Sequence, residues 1–278
     1  TESFSEELIR SPMNAASMVI STSRPITVTG NERYTRNLFE SIFPNKSVSS
    51  QSIGVLLQSI KDGTNESQYF HLFGDPALKV PIPKDSLIIS TISPDTLKTL
   101  QVGSANIEQS IIEGIGSGYI LLSDASRSVR REYQISSETY YLNYELPGAN
   151  LFRGLFSFSG ETFSTQLRVP KDISYSNNPG KVSVYIYDDN KEALGSLNNI
   201  ILTGEDETHD NSGPKITFQT TSGKNLNEGD HFLYEDDIII KLDDPLGINI
   251  TNEIGHEIKI IDLETNVNQI VTDQFYYN

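Results

Sequence analysis

The 278-residue sequence contains no cysteine. That removes disulfides, thiolate metal sites and cysteine nucleophiles from these residues. It leaves the compartment open, because large β domains outside the cell need no disulfides. Basic charge is scarce as well: 21 Lys and Arg stand against 37 Asp and Glu, a formal net charge of −16. A nucleic-acid partner needs a basic face to neutralise phosphates, and docking on anionic lipid needs a polybasic patch. The charge balance argues against both, so no nucleic acid is expected as a partner. No stretch approaches the roughly 18 apolar residues of a membrane span. The opening "TESFSEELIR" has neither the basic n-region nor the apolar h-region of a secretory leader, and it does not begin with Met. The expectation is that the chain is a piece of something longer.

Motifs that would carry chemistry are equally thin. No Gly-x-Ser-x-Gly elbow occurs, so a serine hydrolase of that kind has no nucleophile turn. "GIGSGY" (114–119) misses the dinucleotide fingerprint, since Tyr119 stands where the third glycine belongs, and its surroundings are strand-like; a hairpin or bulge is the better reading. The four histidines, His71, His209, His231 and His256, show no i, i+4 metal spacing and read as structural residues. His71, inside "YFHLF", is expected to be a partly buried, hydrogen-bonded strand residue. Acidic clusters at 205–210, 234–237 and 242–245 offer the oxygen ligands that Ca²⁺ prefers. None follows an EF-hand or a Gly-Asp nonapeptide repeat, so solvated loop charge is preferred. No cofactor and no metal ligand is assigned, structural calcium being the one ion these loops would suit.

What is present falls into two textures. At about 150 residues per domain the length suggests two domains or three small ones, and 36% hydrophobic residues are enough to bury real cores. Over residues 1–73, helix and strand signals alternate. "SFSEELIRS" puts Phe4, Leu8 and Ile9 on one helical face with acids early. "AASMVIST" (15–22) is a short apolar run like a strand buried on both faces. "RYTRNLFESIF" (33–43) spaces Tyr34, Leu38, Phe39, Ile42 and Phe43 as a helical stripe. "SIGVLLQSIKDG" (52–63) reads as a helix closed by Gly63, and "QYFHLF" as a strand. This is an α/β pattern, too short for a complete α/β domain.

Strand-like runs dominate beyond Pro83, punctuated by Gly, Pro and Asn at the spacing of a β-sandwich. Alternation is clearest in "KVSVYIYD", where Val182, Val184 and Ile186 share one side and Ser183, Tyr185 and Tyr187 the other. "NNPGK" and "NLNEGDHF" read as hairpin turns in which Gly180 and Gly229 supply positive φ. "GEDETHDNSGP" (204–214) reads as a linker to a second β segment that runs to residue 278 and looks truncated. The expected division is 1–84, 85–205 and 206–278.

The stretch "YFHLFGDPALKVPIP" closely resembles the end of the catalytic domain in the gingipain family of cysteine peptidases. There a strand running into Gly-Asp-Pro closes a caspase-like α/β fold. "ESFSEELIRSPMNAASMVISTSRPI", "NLFESIF" and "SIGVLLQSIKDGTNESQYF" are similar, in order and spacing, to the family's Ser-x-x-Glu helix, its small-residue strand and loop, and its next two helices. Together these cover residues 1–84. Downstream, "DNSGPKITFQTTSGKNLNEGDHF" and "IIIKLDDPLGINITNEIGHEIKIIDLE" resemble the narrower group of gingipain-like signal peptidases (sortases) of type IX secretion.

The resemblance implies an α/β segment, the end of a caspase-like catalytic domain, followed by all-β immunoglobulin-like sandwich modules. It implies a bacterial cell-surface cysteine endopeptidase, associated with the outer membrane. Its substrates would be proteins with C-terminal secretion signals, attached to lipopolysaccharide after cleavage, and its partners outer-membrane secretion components. The family's catalytic cysteine and histidine fall before Thr1, so this fragment is predicted inactive. What remains to it is one wall of the substrate pocket, the loop Ser21-Thr22-Ser23-Arg24-Pro25-Ile26 after the strand next to the nucleophile's. An ordinary strand-to-loop exit is the competing reading of that loop. A different class also stays open: a non-catalytic surface adhesion or carbohydrate-binding β module using Tyr-rich strands such as "YYLNYELP".

Overall fold

A computed structural model describes residues 3–10, 16–46, 48–61, 63–135, 137–174, 176, 178–204, 212–252 and 255–278. The acidic cluster at 205–210, with His209, and the expected boundary at 205/206 lie outside the described residues. The chain divides into two compact units, Thr1–Lys84 and Asp85–Asn278. It is mostly β-strand in several sheets, with few helices. Among the described residues, no helix is long and apolar enough to cross a membrane.

The first unit runs α1 (Phe4–Arg10), β1 (Met18–Thr22), α2 (Val28–Ile42), α3 (Ile53–Ser59), α4 (Asn65–Gln68) and β2 (Phe70–Gly74). Its Ser-x-x-Glu pattern is a capping box. Ser3 Oγ accepts from the Glu6 N–H at 3.3 Å and the Glu6 carboxylate accepts from the Ser3 N–H at 2.8 Å. Those bonds, the Ser3 N–H first among them, hold the Glu6 carboxyl below its ordinary range. The stripe on α2 buries Tyr34 and Ile42, with Leu38 and Phe43 packed alongside, against Ile53, Leu56 and Leu57 of α3 and Phe70 of β2; Phe39 stays exposed. The third helix ends at Ser59, four residues before Gly63. β1 and β2 form a two-stranded antiparallel ladder, and all five residues of β1 are half-buried rather than buried on both faces.

Gly74-Asp75-Pro76 ends this ladder. Gly74 has φ +127°, and a Cβ there would sit 2.8 Å from the Ser17 carbonyl. Asp75 Oδ1 accepts from the Ala77 N–H at 2.8 Å, a side-chain turn of the kind aspartate favours. The carbonyls of Pro76 and Leu78 accept from the N–H groups of Gly54 and Ile53 at 3.0 and 2.8 Å. These are orphan donors at the start of α3, so the motif caps a helix as well as turning the chain.

The second unit holds β3 (Asp85–Ser86), β4 (Ile88–Ser93), β5 (Thr96–Lys98), β6 (Val102–Glu108), β7 (Ile115–Ser123), β8 (Arg127–Ile135), β9 (Glu138–Leu146), β10 (Asn150–Ser159), β11 (Thr162–Arg168), β12 (Gly180–Tyr187), β13 (Glu192–Thr203), β14 (Lys215–Thr220), β15 (Asn225–Leu226), β16 (Ile238–Asp243), β17 (Lys259–Ile261) and β18 (Asn268–Ile270). One sheet has the order β10-β7-β12-β13-β3, with β5 also on β13; a second has the order β11-β6-β4. Inward residues of both sheets, among them Ile107, Leu122, Leu167 and Val184, build one core. The alternation of β12 is as the sequence indicates: Val182, Val184 and Ile186 are fully buried. β15-β14-β16, β17-β18 and the β8-β9 hairpin form three smaller sheets.

Two glycine expectations change. Gly229 has φ +82° in its turn, but Gly180 is the first residue of β12, where a Cβ would approach the Ser123 carbonyl at 2.7 Å. Close approach, not a left-handed backbone, is what requires glycine there. In "GIGSGY", Gly116 and Gly118 lie in β7 opposite Phe158 and Phe156 of β10, and a side chain on either would run into those rings. The glycines make room for aromatics on the neighbouring strand.

Candidate functional site

The six residues Ser21–Ile26 lead from β1 into α2. The sequence places all six in one loop; the structure gives Ser21 and Thr22 to the end of β1, paired with His71 and Phe70. Ser23 prolongs the ladder by one bond, its N–H donating to the Tyr69 carbonyl at 2.9 Å. The turn proper is Ser23–Ile26. The Arg24 guanidinium lies 5.5 Å from the centre of the Tyr69 ring, within the range of a cation–π contact. Ile26 turns back against the core of the unit, while Ser23, Arg24 and Pro25 are exposed.

The far end of the turn is held by a residue 39 positions away. Thr27 caps α2, its hydroxyl accepting from the Gly30 N–H at 3.0 Å. The Glu66 carboxylate, from the first turn of α4, accepts from both the Thr27 N–H at 3.0 Å and the Thr27 hydroxyl at 3.1 Å. A Cβ on Gly30 would run into that carboxylate. The clamp is charge-assisted, so Glu66→Ala is expected to cost about 1–2 kcal/mol of the unit's stability. It should also raise amide exchange across residues 23–30. A urea midpoint and exchange mass spectrometry check both; an unchanged midpoint would show the clamp to be slack.

His71 is exposed rather than partly buried, and its Nε2 lies 3.2 Å from Ser23 Oγ. A serine within hydrogen-bond reach of an imidazole is one element of a nucleophile. Here the Ser23 hydroxyl also faces the Tyr69 carbonyl at 3.5 Å. No acid orients the ring among the described residues, and the histidine is open to solvent. The pair can hold and orient a polar group at the mouth of the turn, which is a binding role. Behind it, the Tyr34 ring stacks on Phe70 at 3.6 Å with planes 8° apart. Burial pushes the Tyr34 phenol up, and its hydroxyl has no partner among the described residues.

Among the described residues, no three His, Cys, Asp or Glu side chains come together as a metal group. His256 does meet an acid, Asp172, at 3.6 Å, far along the chain from the turn. Sequence reasoning missed Glu66, since no local spacing ties it to Thr27. It also missed the meeting of Ser23 with His71, which the ladder register alone produces.

No curated protein matches the chain. Among solved structures, the crystal structure of dimeric latent PorU from Porphyromonas gingivalis is similar over 92% of this chain at 21% identity, with a TM-score of 0.44. The chain spans 26% of the length of that protein. Spo0M, a sporulation control protein from Bacillus subtilis, is similar over 42% of this chain and 49% of its own, at 11% identity and a TM-score of 0.24. Residues 1–81, which hold the turn, the Glu66 clamp and the Gly-Asp-Pro cap, match the model of Peptidase family C25, the gingipain family of cysteine peptidases.

Proposed function

We propose that residues 1–84 are the closing part of a caspase-like peptidase domain, and that Ser23–Ile26, with the end of β1 at Ser21-Thr22, forms one wall of its substrate pocket. The observation that carries this reading is the match of residues 1–81 to a peptidase family, together with an exposed turn held from both sides by Tyr69 and Glu66. A pocket wall has to keep its shape while its outer atoms stay open. Ser23, Arg24 and Pro25 are exposed, and the backbone beneath them is fixed. The β region that follows is read as immunoglobulin-like sandwich modules.

In this reading the parent protein is a cell-surface endopeptidase of type IX secretion that removes C-terminal signals from secreted cargo. It would act beside outer-membrane secretion components and attach the cargo to lipopolysaccharide. The nucleophile is a thiolate and the base a histidine: these 278 residues hold no cysteine, and the family resemblance puts both groups before Thr1. The 278-residue chain should therefore show no thiol-dependent cleavage of a fluorogenic peptide. A longer polypeptide carrying the preceding cysteine and histidine should cleave it and lose that activity to iodoacetamide. In that active form, Arg24→Ala should raise KM several-fold and leave kcat nearly unchanged, the pattern of lost ground-state binding. Cleavage by the 278 residues alone would sink the assignment.

A second reading has one observation in its favour. "YYLNYELP" lies largely in the β8-β9 hairpin, and Tyr133, Tyr140 and Tyr141 are 40–50% exposed there even though Tyr133 and Tyr140 stack across the strands at 5.7 Å. A carbohydrate-binding or adhesion role would use this aromatic surface. Calorimetric titration with a glycan panel, with and without Ca²⁺, tests it; no heat in either series removes it.

A further inference from the structure

We propose that residues 272–278, a 3-10 turn at Thr272–Gln274 followed by a short extended piece that pairs with β10 through Tyr277, act as an internal strap that locks the β region at 212–278 onto the two-sheet body at 85–204, so that the two open and close together. β10 is the outer strand of its sheet, and its free edge is where Tyr277 adds. The Tyr277 N–H donates to the Arg153 carbonyl at 2.8 Å, and the Leu155 N–H donates to the Tyr277 carbonyl at 2.9 Å. Gly154 and Tyr277 form a parallel bridge. Strand addition of this kind satisfies an edge that would otherwise be left open.

Tyr277 is bound on three sides. Its backbone lies on β10, its ring stacks on the core residue Phe152 at 4.7 Å, and its hydroxyl accepts from the Ile248 N–H at 2.5 Å while donating to the Ile248 carbonyl at 2.8 Å. One residue thus ties the sheet edge, the core and the turn at 244–249. Arg153, only 4% exposed, fixes the segment just before it. One guanidinium nitrogen donates to the Asp273 carbonyl at 2.6 Å and to those of Thr272 and Phe275 at 3.4 Å; the other reaches Asp273 Oδ1 at 3.2 Å. A cation this deeply buried is stable only with such a set of acceptors.

Two short motifs within "IIIKLDDPLGINITNEIGHEIKIIDLE", Gly247-Ile248-Asn249 and Gly255-His256, lie at this same contact. Asn249 Nδ2 donates to Asp172 Oδ2 at 2.8 Å and lies 3.1 Å from His256 Nδ1. His256 Nε2 stands 3.6 Å from the same Asp172 oxygen. Arg168 Nη1 adds a bond to the Pro245 carbonyl at 2.5 Å. Asp172 and Arg168 belong to the two-sheet body, Pro245, Asn249 and His256 to the C-terminal region. The motifs therefore serve to join two parts that the polar stretch 204–214 would suggest are loosely strung.

Hydrogen exchange on the full 278-residue chain tests the lock, because amides that open in one event exchange together. Tyr277→Ala should accelerate exchange at 150–158 and at 244–250 together, by about tenfold or more, while 180–187 in β12 keeps its protection. Acceleration confined to 272–278, or none at either distant segment, would overturn the proposal. Should Tyr277→Ala fail to fold, Asp172→Ala removes two polar contacts across the joint, to Asn249 and His256, and should give a smaller rise in the same two segments. Loss of protection at 244–250 alone in that variant would count against the lock.

Discussion

Phe70→Ala should cost the Thr1–Lys84 unit about 3–5 kcal/mol, the loss seen for a buried aromatic truncated to alanine. Phe70 is 6% exposed, stacks on Tyr34 at 3.6 Å, and pairs with Thr22 across the β1-β2 ladder. Removing the ring opens the core at the point where the candidate pocket wall is anchored. Net stabilities of domains are about 5–15 kcal/mol, so this one change takes a large share. The four described α-helices all lie in this unit, so far-UV circular dichroism at 222 nm during urea unfolding reports on it. The expected result is a strongly lowered midpoint with an unchanged m-value. Phe70→Leu, which keeps most of the volume, should lose less than half as much. Equal midpoints for wild type and Phe70→Ala would mean that the Tyr34–Phe70 stack bears little of the packing.

How far the sequence foretold this arrangement depends on the distance over which each contact acts. The helical stripe of α2 and the alternation of β12 are local periodicities, and both are visible in a short window. Gly-Asp-Pro reads as a turn for the same reason. Contacts made between distant segments are invisible to such a window. Nothing near Thr27 announces Glu66, and nothing near Ser23 announces His71; both meetings follow from register and the path of α4. The glycines of β7 show a subtler failure, because their cause lies on β10, where Phe156 and Phe158 need the space. Arg153 left one overlooked signal, a cation within the apolar run "LFRGLF" that would be costly in a strand unless something covered it. What covers it is the Thr272–Phe275 segment, more than a hundred residues on.

The same limit sets up the second large effect. "YILLSD" offers two adjacent leucines, and pattern alone does not say which faces inward. The structure puts Leu122 in the core with no exposed surface, opposite Phe152 on β10 and Val182 on β12. Leu121 points to the other face, opposite Arg153 and Ser183, and is half-buried. Because β7 pairs with strands on both sides, a cavity at Leu122 cannot be closed by one neighbour moving alone. Leu122→Ala should therefore cost the Asp85–Asn278 unit about 2–5 kcal/mol. Leu121→Ala, on the outer face, should cost about 1 kcal/mol or less. Tyrosine fluorescence against urea gives both midpoints, since 11 of the chain's 13 tyrosines, all but Tyr34 and Tyr69, come after residue 84, and exchange at 118–123 assigns the change to β7. If Leu121→Ala proved as damaging as Leu122→Ala, the inward–outward alternation of β7, and with it the register against β10, would have to be redrawn.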